Sequence, residues 1–343
     1  MSRKIAVLGT GANGASIAAD LTIAGHDVVL VDQWPEHVAA MRKNGIRIEM
    51  PKETVRTPVR AYNLCDVCTF DEAFDVVLLL MKAYDTPWAC QLIEPYLQPD
   101  GLLAGVQNGM TVDAIADVVG PERTIGCVIE ISSQMFVPGV VQRQSPHDRS
   151  WFAVGGIDQA TAGREVEIQQ LLAHSGTAVI ASNIRSAKWM KLISNCTTLA
   201  TTAIFGVPIA VAADTPDMRE MMIRSGAEAL AAGLDLGYRI EPIFGLTEAE
   251  TRDADHLVEL LLDKLTDTYI LPDTITTILQ DMMKNRKSEV GDVNGWVVAQ
   301  QERLGKTAPV NAAILELTAR IKRRELKPGR TNLDLLIAMV DKG

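Results

Sequence analysis

The sequence predicts an α/β protein in two parts: a doubly wound parallel sheet first, and an all-helical domain after it. Three observations carry this. From residue 1 to about 182, short apolar runs alternate with helical segments, the pattern of a parallel sheet covered by helices. A glycine-punctuated turn joins the first apolar run to the first helix. Beyond Ile184 the strand signals stop and apolar residues recur at helical spacing. The boundary is expected at Ser182-Asn183, giving domains 1–182 and 183–343.

Lys4-Ile5-Ala6-Val7-Leu8 reads as a buried parallel strand, and Gly9-Thr10-Gly11-Ala12-Asn13-Gly14 follows at once. A helix over Ala15–Ala24 ends at Gly25, a residue suited to the position after a helix. Asp27–Val31 makes the second strand, closed by Asp32. In this context Gly9 permits the tight turn, Gly11 lets backbone approach a pyrophosphate, and Gly14 allows close helix–strand packing. The phosphates then meet the amides and positive dipole end of the new helix. Dinucleotide binding through Gly9, Gly11, Ala12, Asn13, Gly14 and Asp32 is the expectation, against a plain structural turn.

Further strands are expected over Asp75–Met81, Leu102–Val106 and Thr124–Ile129. Phe136–Val141, with its Pro138-Gly139 turn, and Ser150–Val154 read as antiparallel additions at a sheet edge. Ligands of open α/β sheets bind outside the carboxyl ends of the strands. That rule selects Lys82 and Asn108, with a solvated strand-end charge and an Asn-Gly turn as their plain structural readings.

In the helical half, Trp189, Leu192/Ile193, Cys196, Leu199/Ala200 and Ala203/Ile204 form an apolar stripe. Opposite it, Lys191, Asn195, Thr198 and Thr202 share one face that carries no charge after Lys191. That face suits either the lining of a cleft between domains or a half-buried amphipathic helix. Leu192–Ala213 carries no charge, yet its Ser194, Asn195, four threonines, Gly206 and Pro208 indicate a buried helix with a break rather than a membrane span. Glu289, by itself, reads as a partner for Arg286 on a solvated helix, the reading composition favours.

At 343 residues, 47% hydrophobic and 22% charged, the chain suits a globular protein of two domains. A formal net charge of −10 argues against a nucleic-acid partner, which needs a basic face. No polybasic cluster suggests a membrane surface, and the first residues lack the pattern of a signal peptide, so a cytoplasmic location is expected. The five cysteines are expected to be reduced, and Cys65-x-x-Cys68 has no second pair or histidine for a metal. No metal is expected. Gly305-Lys306-Thr307 lacks the rest of a P-loop, there is no G-x-S-x-G or H-E-x-x-H, and His256 in Asp253-Ala254-Asp255-His256 reads as surface.

Taken together, the chain resembles the ketopantoate reductases (2-dehydropantoate 2-reductases) over nearly its whole length. The resemblance rests on Gly9–Gly14, Lys82, Gln107-Asn108-Gly109, Trp189-Met190-Lys191-Leu192-Ile193-Ser194-Asn195, Leu279-Gln280-Asp281, Glu289 with Asn294-Gly295, and Ala308-Pro309-Val310-Asn311. It implies a Rossmann domain with a helical domain of the 6-phosphogluconate-dehydrogenase-like kind. It also implies NAD(P)H-dependent reduction of a 2-oxo acid, 2-dehydropantoate or a less polar analogue, to a D-2-hydroxy acid. Lys191 matches the catalytic lysine, which polarises the carbonyl and protonates the developing alkoxide. Glu289 matches the acidic residue that positions the lysine or the substrate hydroxyl; Asn108 and Asn195 match residues near the nicotinamide and substrate. Thr277 falls where a serine often contacts the substrate carboxylate. A homodimer formed through the helical domain is a further implication.

The chain departs from the family pattern at Leu199 and Ile209, where asparagine is typical, and Gly245–Asp267 is longer and more charged than the usual connection. The loss of two asparagines favours a less polar 2-oxo acid, and the longer segment bears on the shape of the substrate entrance. Asp32 suits the ribose hydroxyls of NAD and would repel the 2′-phosphate of NADP, and residues 33–36 offer no arginine clamp, so NAD is the expected cofactor. Two other readings are a β-hydroxyacid dehydrogenase-like enzyme and a non-catalytic dinucleotide sensor. The Gln-Asp…Glu…Asn-Gly segment argues against the first, and the joint presence of Lys191 and Glu289 against the second.

Overall fold

The computed structural model describes residues 3–252 and 254–341, and the chain divides into two compact units, Met1–Arg185 and Ser186–Gly343. The division falls after Arg185 rather than after residue 182. Ile184 is the reason: a Cβ at Gly126 would lie 2.7 Å from its Cγ1, and one at Gly155 would lie 2.8 Å from its Cβ. Its side chain therefore nests on bare glycine backbone of the first unit. Arg185 pairs there with Asp113 at 2.6 Å.

The first unit contains β1 (Lys4–Leu8), α1 (Ala12–Ile23), β2 (Asp27–Asp32), α2 (Pro35–Asn44), β3 (Ile46–Glu49), β4 (Thr54–Thr57), β5 (Arg60–Asn63), β6 (Phe74–Leu79), α3 (Thr86–Ile93), β7 (Leu97–Val106), α4 (Val112–Val119), β8 (Thr124–Glu130), β9 (Ser133–Val137), β10 (Val140–Arg143), β11 (Trp151–Gly156), α5 (Glu165–Leu172) and β12 (Thr177–Ile180). Eight strands form one sheet in the order β12-β11-β8-β7-β6-β1-β2-β5. All its pairings are parallel except β8 with β11. Alternate residues enter opposite cores, as period-two geometry requires: Ile5 and Val7 join α1 and α5 on one face, and Ala6 and Leu8 join α3 and α4 on the other.

One expectation needs correction. β11 does add antiparallel to the sheet, but β9 and β10 do not. They pair with β3 and β4 in a separate four-stranded sheet of order β4-β3-β10-β9. Ile46, Ile48, Met135 and Val141 of this small sheet share a core with Ile17, Ala18 and Leu21 of α1. The small sheet thus covers α1, a burial that local alternation of residues cannot reveal. Within the same unit, Arg143 is fully buried and donates to Asp20 Oδ2 on α1 at 2.8 Å, while His147 and Ser175 also bond that carboxylate at 3.0 and 2.7 Å.

The second unit is helical: most of α6 (Ile184–Phe205), then α7 (Ile209–Ala213), α8 (Pro216–Asp235), α9 (Leu257–Thr268), α10 (Thr277–Met283), α11 (Val290–Arg303), α12 (Pro309–Lys322) and α13 (Asn332–Val340). The expected break after α6 occurs at Gly206, whose φ of 67° ends the helix before Pro208 opens the next. Trp189 lies flat on α8, donating from Nε1 to Ala229 O at 2.9 Å, at a place where any side chain on Gly233 would meet the indole. Among the described residues no helix is long and apolar enough to cross a membrane. His256 is exposed; Asp253, three residues earlier in the sequence and inside the expected 245–267 segment, lies outside the described residues.

Candidate active site

The first unit gathers its candidate residues along one edge. β7, β6, β1 and β2 are consecutive neighbours, and Asn108, Lys82, the glycine loop and Asp32 stand at or just past their carboxyl ends. β6 ends at Leu79, so Lys82 follows a short connector instead of the strand itself. Gln107 braces this edge by donating from Nε2 to Met81 O at 2.6 Å. Strand order reverses around β1, which is where open α/β sheets leave a ligand crevice.

The glycine loop has the geometry a dinucleotide requires. Gly9 has a φ of 93°, open to glycine without strain, and a Cβ there would lie 2.6 Å from Met81 N. A Cβ on Gly14 would lie 3.1 Å from the Gly9 carbonyl carbon and closer still to its oxygen. Around Gly11, by contrast, nothing lies within 4 Å of that position. Gly11 caps α1, whose first-turn amides have no partner within the helix. An open approach to these amides fits a pyrophosphate. Asn13 is held by Ser133, whose Oγ donates to its Oδ1 at 2.5 Å.

Asp32 is buried and oriented. Its Oδ1 accepts from Trp34 N at 2.9 Å, and its Oδ2 accepts from Thr10 Oγ1 at 3.2 Å. Each carboxylate oxygen retains acceptor capacity beyond these bonds. Behind the loop, buried His37 accepts from Gly139 N at Nδ1 over 2.9 Å, so its Nε2 carries the proton donated to Thr10 O at 2.8 Å. Thr10, His37 and Ser133 were not singled out by sequence reasoning. The partners Gly139 and Ser133 are remote in sequence and reach the loop only through the small sheet.

In the second unit, Lys191 and Asn195 lie on successive turns of α6 and are both buried, at 8% and 1% exposure. Thr198 and Thr202 do not continue a lining. They are buried and spend their hydroxyls on Ser194 O and Thr198 O, each at 2.8 Å. Leu199 is different: from Ser186 to Phe205 it is the one residue that is not buried. Being four residues beyond Asn195 and eight beyond Lys191, it lies on their side of the helix. Thr276 Oγ1 donates to Leu199 O at 2.9 Å, which sets half-buried Thr277, the first residue of α10, near that turn. Ile209 is buried and bonds through its N–H to Thr274 O at 3.1 Å.

Glu289 directly precedes α11 and is 4% exposed, whereas Arg286 is exposed, so the solvated-helix reading does not hold. A buried network ties the helices carrying these groups. Asn311 Oδ1 accepts from Asn294 Nδ2 on α11 at 2.8 Å, and its Nδ2 donates to Ser225 O at 3.0 Å and Glu228 Oε2 at 2.7 Å on α8. Ser225 Oγ then donates to Cys196 O on α6 at 2.9 Å. One aromatic residue also stands out. Phe244, fully buried between α8 and α9, has a φ of 59°, and the Lys191 ammonium lies over its ring at 5.0 Å from the centroid. A bulky residue in that backbone region costs on the order of 1–3 kcal/mol and persists only where surrounding contacts over-determine it.

The comparisons with known proteins agree with this geometry. The family model described as "Ketopantoate reductase PanE/ApbA" matches residues 5–155, and its C-terminal companion matches 183–322. A 2-dehydropantoate 2-reductase of Mesorhizobium japonicum is 26% identical over 340 residues, covering 93% of this chain and 97% of its own. One of Archaeoglobus fulgidus is 22% identical over 322 residues, covering 92% and 96%. Among solved structures, a D-mandelate dehydrogenase with NADH and anilino(oxo)acetate superposes with a TM-score of 0.83 at 19% identity, over 94% of this chain and 99% of that one. A PanE/ApbA family ketopantoate reductase from Ralstonia eutropha gives 0.77 at 23% identity, again over 94% and 99%. With its nucleotide-loop unit and its helical unit both matched in order, the chain belongs to the ketopantoate reductase family.

Proposed function

We propose that this chain uses NADH to reduce the carbonyl of a 2-oxo acid less polar than 2-dehydropantoate, giving a D-2-hydroxy acid. Membership of the family makes it a pyridine-nucleotide-dependent reductase of 2-oxo acids. The reduced nicotinamide supplies the hydride when bound. Lys191 donates the proton: its ammonium stabilises the charge that builds on the carbonyl oxygen more in the transition state than in the ground state. Glu289 positions Lys191 or the substrate, Asn108 and Asn195 hold the nicotinamide end and the substrate, and Thr277 meets the carboxylate. Gly9, Gly11, Ala12, Asn13, Gly14, Lys82 and Asp32 bind the cofactor.

The observation that carries the substrate reading is Leu199, an accessible apolar side chain in line with Lys191 and Asn195. An apolar surface there favours an apolar substituent and leaves the hydroxyls of pantoate without partners. The D-mandelate dehydrogenase of like fold, solved with NADH and anilino(oxo)acetate, supports both the cofactor and the substrate class. A panel of 2-oxo acids, ketopantoate included, assayed with NADH and NADPH tests the reading. Branched or aryl 2-oxo acids with NADH are expected to give the highest kcat/KM, and a preference for ketopantoate with NADPH would refute it. A cytoplasmic homodimer joined through the helical unit belongs to the same proposal, and sedimentation velocity would report its mass.

A further inference from the structure

We propose that Phe244 is a positioning residue for Lys191, fixing the ammonium by a cation–π contact at the place where the carbonyl oxygen gains charge. This rests on the reading of Lys191 as the proton donor. The ammonium lies 5.0 Å from the Phe244 ring centroid, inside the range over which a ring quadrupole attracts a cation. The ring is anchored from several sides. Tyr269 at the end of α9 donates its hydroxyl to Phe244 O at 3.0 Å, and the two rings pack at 5.4 Å between centroids. Phe244 and Gly245 have φ values of 59° and 74°, so the chain doubles back there, and Leu246 N closes the turn on Ile243 O at 3.0 Å.

The backbone conformation is what makes the contact informative. Glycine or asparagine would take the left-handed region at lower cost, and glycine follows immediately. Phenylalanine is held there, fully buried, with its face toward the one lysine to which the site assigns chemistry. A lysine side chain has four rotatable carbons and loses much freedom when held in one place. A rigid aromatic face packed against the ammonium reduces that loss.

The test replaces Phe244 with 4-fluoro-, 3,5-difluoro- and 3,4,5-trifluorophenylalanine in the full chain. These keep the ring's shape while progressively weakening its quadrupole. Single-turnover hydride transfer is measured, with NADH affinity and melting temperature as controls. The rate is expected to fall stepwise with fluorine count, reaching about 2- to 30-fold for the trifluoro ring, as the strength of such contacts converts to a population of correctly placed ammonium. NADH affinity and melting temperature should stay constant, which a merely structural role would not predict together with a falling rate. Phe244→Leu, which removes the π face altogether, should lose at least as much. A rate independent of fluorination, with Lys191→Ala inactive, would overturn the positioning role and leave the lysine's role standing. Near-normal turnover by Lys191→Ala would overturn both.

Discussion

Gly11 and Gly14, two glycines of one loop, should behave oppositely when each is replaced by alanine. At Gly14 a Cβ would meet the Gly9 carbonyl, 3.1 Å from its carbon and nearer its oxygen. The carbonyl cannot retreat, because the would-be Cβ site of Gly9 is already 2.6 Å from Met81 N. Overpacking against backbone on both sides costs about 1–3 kcal/mol. At 2–4 °C per kcal/mol for a domain of this size, the first unit should melt roughly 2–12 °C lower. At Gly11 nothing lies within 4 Å of the new methyl, and its φ of −59° is open to any L-residue. The small loss of an N-cap glycine and the gain from a stiffer unfolded chain, each below about 1 kcal/mol, nearly cancel. Yet that methyl stands before the amides of α1. Losing one charged hydrogen bond there, worth about 1.5–3 kcal/mol, should weaken NADH binding about 10- to 150-fold. Thermal melts and calorimetric titration with NADH separate the two effects. Unchanged NADH affinity in Gly11→Ala, or a melting loss equal to that of Gly14→Ala, would refute the assignment of the loop.

Asp32→Ala should lower NADH affinity about tenfold or more, by loss of a carboxylate hydrogen bond to the ribose, and raise the NADPH-to-NADH ratio of kcat/KM; an unchanged ratio would exclude Asp32 as the selector. Burial by itself would raise the Asp20 pKa, but hydrogen bonds from His147 and Ser175 and the charge of Arg143 outweigh it and hold the carboxyl below its ordinary value. A depressed folded pKa stabilises the fold above the unfolded pKa, near 4, and that stability is lost as pH falls through the folded value. Asp20→Asn leaves Arg143 buried without its counter-charge, so it should cost about 3–5 kcal/mol at neutral pH and flatten the acid limb of a denaturant-stability profile. A wild-type acid limb in that variant would show that other carboxyls carry it.

The nucleotide-binding half was legible because its signals are local. A strand, a turn that only glycine tolerates, a helix and an acid at the next strand's end follow one another within 32 residues. Backbone sterics and strand-end geometry determine what they build. In the helical half, Lys191 and Asn195 share one face of α6 as their four-residue spacing predicts, but the same periodicity carried the reading too far. Thr198 and Thr202 occupy the right face and are buried with their hydroxyls turned back to their own helix. Periodicity specifies a direction around the axis, and only packing decides how far along that direction the surface stays open.

What the sequence determined by itself, then, was the order of elements, the glycine loop with an acid at the end of the next strand, and a helix with Lys191 and Asn195 on one face. Tertiary structure alone decided that β9 and β10 leave the main sheet to cover α1, bringing Ser133 to Asn13 and Gly139 to His37, which bonds the loop at Thr10 O. It alone left Leu199 accessible where its neighbours from Ser186 to Phe205 are buried, and set Phe244, in a backbone conformation no pattern predicts for phenylalanine, against Lys191. These contacts join residues tens to a hundred or more positions apart. They exist because distant apolar surfaces must be buried together, and no local preference of the chain encodes which surfaces those are.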